Sequence, residues 1–316
     1  MLGRLGKQPI VQMALLVFLL SGMLHAGTEV RGMAFKEETA VATFTASGLM
    51  PGTLSVMTYN IRHAWGLDQT VDVERIERDI RQMDADIVAL QEVDRWNPRS
   101  GFQDQIGRLG ERLNMAWAFA PSLKLGFMEY GNAILSKYPI ESADVHVLPG
   151  KTEKRTMLSV TVRVDQMPVQ IWTTHLGVSE ADRQQQFPLL MTALEQTDDS
   201  PHGQGEPDLL MGDFNMLDSH PLMQAIMKGW KKARPEGLTA TVLSGRELDH
   251  IFYRDKWRLL QSGVRVTESS DHHVVWARFI RQDAWLDAPP SPMPSVDVRA
   301  TIRVAHSEVG RVRRDL

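Results

Sequence analysis

Asn60, Gln91-Glu92, His175, Asp213 with Asn215, Asp249-His250 and Ser270-Asp271-His272 carry side chains that bind hard cations, move protons or hold phosphate. Each group borders a short apolar stretch. Asn60 ends residues 54–60, Gln91-Glu92 follow 87–90, and His175 follows 169–174. Residues 208–211 deliver Gly212-Asp213-Phe214-Asn215, Leu248 leads into Asp249-His250, and Ser270-Asp271-His272 opens 273–280. Taken singly, every one has a dull explanation. An Asn at a strand end forms turns, a Glu after an apolar run caps a helix, and Gly-Asp-Phe-Asn is turn-prone. A lone Thr-His-Leu is more often a satisfied histidine than a catalytic one. Together, carboxylates, amides and imidazoles at strand ends cost stability unless they are paired or ligated. Their ordered occurrence therefore predicts one shared site.

The stretches that must position these groups alternate between two periods. Residues 54–60, 87–90, 133–135, 158–164, 169–174, 208–211, 248–253 and 273–280 carry strand signals. Val73, Ile76, Ile80 and Met83 recur at helical spacing behind a cap at Asp72, and Ile106, Leu109 and Leu113 mark a second helix. Ser179-Glu-Ala-Asp182 resembles a capping box, opening a helix with Phe187, Leu190, Met191 and Leu194 on one side. Pro188 is expected to kink that helix. Many strands with few intervening helices predict two packed sheets flanked by helices, not an all-parallel wound sheet.

The chain has 316 residues, 43% hydrophobic, with 35 Lys+Arg against 39 Asp+Glu and no cysteine. That apolar fraction supports a sizeable core and excludes disorder as the default state. The missing cysteines exclude a disulfide framework, a thiolate metal site and a cysteine nucleophile. A net charge of −4 argues against wholesale electrostatic capture of nucleic acid.

The ordered series Thr58-Tyr-Asn60, Gln91-Glu92, Thr174-His175-Leu176, Gly212-Asp213-Phe214-Asn215, Leu248-Asp249-His250-Ile251 and Ser270-Asp271-His272 resembles the endonuclease/exonuclease/phosphatase superfamily. Gly131-Asn132-Ala-Ile-Leu-Ser136, followed by Lys-Tyr-Pro, is similar to a recurrent strand of that group. The resemblance covers residues 54–280. It implies an α/β four-layer sandwich of two packed mixed β-sheets flanked by helices. It also implies hydrolysis of a phosphoester with a divalent cation, Mg2+ ordinarily and Mn2+ as the alternative. Glu92 resembles the family's metal-binding glutamate, Asn60 its amide partner, and Asp271 a residue completing the outer shell. His272 resembles the general base, or the histidine that stabilises the transition state, with Asp249 orienting its ring. Asp213 and Asn215 resemble the pair that orients the attacking water and a phosphate oxygen. His175 resembles a phosphate-binding histidine. Arg155, behind Lys151 and Lys154, is a candidate clamp on the substrate or else part of a solvated loop; Asn132 is a candidate substrate contact.

One departure limits the analogy. Two residues after Asn60, where the apurinic endonucleases carry an aspartate, this chain has Arg62. Secreted deoxyribonucleases commonly rely on a disulfide that this chain cannot make. The favoured expectation is thus an exported phosphodiesterase or phosphatase acting on a small or lipid-derived phosphoester. A secreted or periplasmic nuclease is the alternative. In it, Arg62, Arg95, Arg99, Lys124, Lys151, Lys154 and Arg155 would track a phosphate backbone while Trp65 and Trp96 stack on bases. A non-catalytic binding module on the same fold is a third reading. For a lipid substrate, 123–128 is the candidate membrane-facing loop, with core packing as the competing role. No obligate protein partner is implied.

Export rests on the first residues. Arg4 and Lys7 precede the apolar run 13–24, whose 12 residues fall short of the roughly 20 that span a bilayer. Residues 1–26 are expected to be a signal peptide or an uncleaved anchor, and removing them takes the net charge from −4 to −6. Residues 27–53 are expected to be a leader, and 281–316, with Pro-Pro-Ser-Pro-Met-Pro at 289–294, a flexible tail, with an edge strand or a membrane-surface contact as the alternatives.

Overall fold

In the computed structural model, residues 52–151, 153–195 and 207–283 are described. The expected signal or anchor, nearly all of the leader, and the tail beyond 283 lie outside them. Twelve strands form two six-stranded sheets. In chain order they are β1 (Thr53–Asn60), β2 (Ile87–Arg95), β3 (Ala116–Leu125), β4 (Met128–Ser136), β5 (Ile140–Leu148) and β6 (Arg155–Val164). Then come β7 (Met167–His175), β8 (Leu209–Asp213), β9 (Lys231–Lys232), β10 (Asp249–Tyr253), β11 (Trp257–Arg265) and β12 (Val274–Arg281). The first sheet has the order β11-β12-β1-β2-β4-β3 and the second β5-β6-β7-β8-β10-β9. Each holds one parallel pair near its middle, β1 with β2 and β7 with β8, inside otherwise antiparallel neighbours.

Alternation along the strands builds the layers. In β1, Leu54 and Val56 join Ile87, Leu158, Ile171 and Phe279 between the sheets, whereas Met57 and Tyr59 face the other way. That outer face is covered by α1 (Val73–Met83) and α2 (Gln105–Leu113), through Ile76, Ile80, Ile106 and Leu109. The second sheet is covered by α3 (Glu180–Glu195) and α4 (Pro221–Ile226), through Phe187, Leu190, Met223 and Ile226. Each such buried side chain contributes about 1.5–3 kcal/mol. The result is the expected four-layer sandwich.

The caps agree with the sequence. Asp72 accepts from Arg75 N at 3.1 Å, and Ser179 Oγ accepts from Asp182 N at 3.1 Å. Asp182 in turn accepts from Lys151 N at 2.7 Å, tying the start of α3 to the β5–β6 loop. The α3 helix runs through Pro188 as one element. The parallel pairs deliver their C-terminal ends, Asn60, Gln91-Glu92, His175 and Asp213, to one end of the sandwich. At the opposite end Arg281 N donates to Gly52 O at 2.9 Å. Among the described residues no helix is long and apolar enough to cross a membrane.

Candidate active site

The site begins with a bulge. Leu90 faces Ala133 and Val93 faces Gly131, so Gln91 and Glu92 together oppose Asn132. Glu92 takes a left-handed φ of 59°, which breaks the strand's alternation at that residue. Gly131, across from the bulge, leaves no room for a side chain: an added Cβ would lie 2.0 Å from Ala120 O. Beneath, Gln91 Nε2 donates to Thr58 Oγ1 and to Thr173 Oγ1 of the other sheet, both at 3.1 Å, so the floor is tied across the sandwich.

Asn60 is the hub. Its Nδ2 donates to Glu92 Oε1 and to Asp213 Oδ2, each at 3.1 Å, while its Oδ1 accepts from Arg62 N. Asp213 ends β8 behind Gly212, whose φ of 148° brings it so close to Thr174 O that a Cβ would sit 2.0 Å away. Asp213 Oδ1 accepts from Asn215 N at 2.9 Å, and Asn215 Nδ2 donates to Leu176 O. His272 Nδ1 meets Asp249 Oδ2 at 2.9 Å, so that nitrogen carries its proton and Nε2 faces Asp213, 3.8 Å off. Thr241 Oγ1 donates to the same Asp249 oxygen at 2.6 Å and accepts from Leu248 N and Asp249 N, fixing the carboxylate.

His175 is buried at the end of β7, its Nδ1 3.2 Å from Arg155 Nη1. A guanidinium only donates, so Nδ1 accepts and the proton resides on Nε2, which points at Asp213 Oδ2 at 3.4 Å. Asp271 forms an ion pair with Arg62 Nε at 3.4 Å, and the neighbouring Ser270 Oγ donates to Asn60 O.

Electrostatics separate the roles. Burial raises Glu92, and the Asp271 charge adds to that against the opposing effects of Asn60, His272 and Arg155. Burial and the Asp249 charge push Asp213 up to about 7 against the pull of His272. Burial alone would lower His272, but Asp249, with Asp213 and Asp271 behind it, raises it to about 10. Burial holds His175 well below the usual histidine range, with the Arg155 charge in support. Within one cluster the structure thus sets a cationic imidazole beside a neutral one.

All eight residues expected to be catalytic or metal-binding come together here. Arg155 stands behind His175, and Asn132 faces the Gln91-Glu92 bulge. Arg155 opens β6, only 3% exposed, with Nη2 on Glu153 and Nη1 near Tyr130 OH, so it belongs to no solvated loop. Asn132 is buried and donates to Thr156 O at 2.8 Å, joining β4 to β6. Tyr130 and Thr241 went unnoticed in the sequence; Thr241 has no signal there, whereas Tyr130 directly precedes the Gly131-Asn132 run. A second cluster, Asp218, Glu247 and His250, is already filled by the Lys232 ammonium at 2.5 and 2.6 Å from the two carboxylates.

The pattern described as the Endonuclease/Exonuclease/phosphatase family matches residues 57–272. The chain belongs to that family. Among curated proteins it is similar to Escherichia coli YbhP, 28% identical over 190 residues, covering 54% of this chain and 71% of that one. Among solved structures it is similar to an endonuclease/exonuclease/phosphatase from Beutenbergia cavernae, with TM-score 0.63, 24% identity and 72% of each chain covered. The human Nocturnin catalytic domain, solved with a bound sulfate anion, matches with TM-score 0.59, 20% identity, and 73% of this chain and 96% of that one covered. At these identities the solved structures establish the shared fold. The family relation makes this a phosphoesterase-type fold.

Proposed function

We propose that the chain is an exported, divalent-metal-dependent phosphoester hydrolase whose substrate is a small or lipid-derived phosphoester. The observation that carries the reading is the line Glu92–Asn60–Asp213–His272–Asp249, in which a buried acid pushed up to about 7 faces a cationic imidazole.

The donor set fits a hard cation. Glu92 is half-buried within reach of the Asp271 charge, and its hydrogen-bond donor is an amide; among the described residues no cationic side chain reaches ion-pair distance of it. Glu92 would hold the ion, with Asn60 holding Glu92 in place and Asp271, paired with Arg62, in the outer shell. When bound, such an ion supplies charge neutralisation at a phosphoryl oxygen and at the departing oxygen. The remaining work falls to the chain. Asp213 accepts the proton of the attacking water as the new O–P bond forms. His272, oriented by Asp249, donates to a phosphoryl oxygen as charge develops on it. The neutral His175 presents Nε2–H, and the Asn215 backbone amide keeps Asp213 aligned. The P–O bond to the leaving group breaks, that oxygen takes up a proton from solvent, and Asp213 returns the proton it accepted to solvent.

Pairing of the rim cations favours a small or lipid phosphoester over a polymer. Arg62 pairs with Asp271, Arg95 with Asp104 and Glu129, Arg99 with Asp94, and Lys124 with Glu129, which leaves the exposed Lys151 and Lys154 of that set, too few to follow a phosphate backbone. Export is supported by the apolar run 13–24 behind Arg4 and Lys7.

The test is turnover of bis(p-nitrophenyl) phosphate and p-nitrophenyl phosphate with Mg2+, Mn2+ or EDTA, beside His272→Ala. Metal-dependent cleavage that vanishes in the variant is expected. Cleavage unaffected by EDTA would overturn the metal half of the reading. Binding of either ester without turnover under any metal would favour the non-catalytic module.

A further inference from the structure

Exposed apolar side chains are gathered at one end of the sandwich. Among the described residues sixteen large hydrophobic side chains are exposed, and most of them sit on loops or strand tips at the end where the catalytic groups lie. Strand directions fix this placement. Trp65 and Trp96 follow β1 and β2, Val178 and Leu217 follow β7 and β8, and Leu243 N bonds to Asp271 O beside His272. The apolar residues therefore surround the mouth on several independent loops. Scattered exposed apolar residues are ordinary, whereas a contiguous apolar point on a loop marks an interaction site.

The most exposed part is the tip of the β3–β4 hairpin. Leu123, Leu125 and Phe127 are 55%, 64% and 65% exposed, and Gly126 with φ 59° makes the turn between Leu125 and Met128. Phe102, from the loop after β2, lies with its ring 6.4 Å from that of Phe127, so two loops build one apolar point. Lys124, between the two leucines, is exposed and paired with Glu129, and Ser122 Oγ contacts Thr156 Oγ1 at 2.9 Å, so the exposed Lys154, two residues before Thr156, and Lys151 behind it belong to the loop that flanks the hairpin.

We infer that this end of the molecule docks on an anionic lipid bilayer, with the 123–128 tip among the acyl chains and the flanking lysines at the headgroups. The site then takes its phosphoester from that surface, a second step that rests on the hydrolase reading above. A convex tip inserts into a fluid phase without needing a matching groove, and the lysines beside it complement anionic headgroups. A protein seated on the same ring would close the catalytic mouth, whereas a bilayer would feed it.

The absence of native cysteine makes the test specific. Full-length Phe127→Cys, labelled with an environment-sensitive nitrobenzoxadiazole dye, is mixed with vesicles of phosphatidylglycerol and phosphatidylcholine or of phosphatidylcholine alone. Met167→Cys, 49% exposed at the opposite end, carries the same dye as control. A blue shift at 127, larger on the anionic vesicles and absent at 167, is the expected result. Adding Leu123→Ser and Leu125→Ser should lower partitioning of the 127-labelled protein by about tenfold or more. A shift at 167 alone, or at neither position, would overturn the proposal. So would a shift at 127 that grows with protein concentration without lipid, which would make the tip a contact between copies. Insertion is read without turnover. Insertion by a protein inactive on every ester would sink the hydrolase reading and leave the docking surface standing.

Discussion

Asn60 Nδ2 stands 3.1 Å from Asp213 Oδ2, joining the end of a strand in one sheet to the end of a strand in the other. The same nitrogen holds the half-buried Glu92, so one amide sets the spacing of two carboxylates. Asn60→Ala leaves both short of a donor, at a cost of about 1–3 kcal/mol in urea unfolding. Its kcat/KM should fall by about a hundredfold. Asn60→Asp, which adds a third carboxylate, should be worse on both counts. An Asn60→Ala variant with unchanged rate would show that the bridge does not position the reacting groups.

Asp249 is what keeps His272 charged. In Asp249→Asn the His272 pKa should move from about 10 toward the ordinary value, followed by NMR titration. The kcat/KM should drop by about 10²–10⁴, because the ring loses both its charge and its orientation.

Arg155 selects the tautomer of His175. Nitrogen-15 NMR should find His175 protonated at Nε2 and bare at Nδ1. In Arg155→Met that selection is lost and both tautomers should appear, whereas Arg155→Lys retains a donor and should keep most of the preference. Protonation at Nδ1 in the native protein would contradict the geometry.

Gly212→Ala pushes a methyl group into Thr174 O, in the strand paired with β8. Neither backbone can give way without disturbing His175 and Asp213. Denaturant unfolding should register a loss of at least about 2–3 kcal/mol. A loss near zero would mean that the two strands separate freely.

His250 makes acid stability testable. Burial lowers its pKa from 6.5 to about 4, with the Lys232 charge acting in the same direction. Between those two values the unfolded chain holds a proton that the folded chain refuses, so stability is full above the upper value and falls as pH drops through the window. From pH 7 to pH 5 this group should cost about 2 kcal/mol. His250→Gln should flatten that part of the pH–stability curve, measured by urea unfolding at each pH.

What the sequence disclosed follows from where each strand sits. The eight strands legible from apolar pattern, β1, β2, β4, β6, β7, β8, β10 and β12, all have neighbours on both sides. The four it hid, β3, β5, β9 and β11, are the four sheet edges. An edge strand is half solvated and need not alternate cleanly: β5 has six partly exposed positions, and β3 carries Pro121 and ends in three exposed residues. The site residues were legible because they recur as short motifs at strand ends. Thr241 was not, since a hydroxyl serving Asp249 from a loop leaves no pattern. Nor could the sequence show that Arg155 spends its guanidinium on His175 and Glu153, because those contacts exist only once β6 and β7 are paired.

The bond from Arg281 N to Gly52 O means that the folded domain is nearly a ring, open at one joint. Both sides of that joint, Gly52 and Arg281, lie at the end of the domain opposite Asn60 and His272. A short covalent splice there should permit new termini elsewhere without altering the strand order. A tag or tether attached on either side would trail behind the molecule and leave its working end unobstructed.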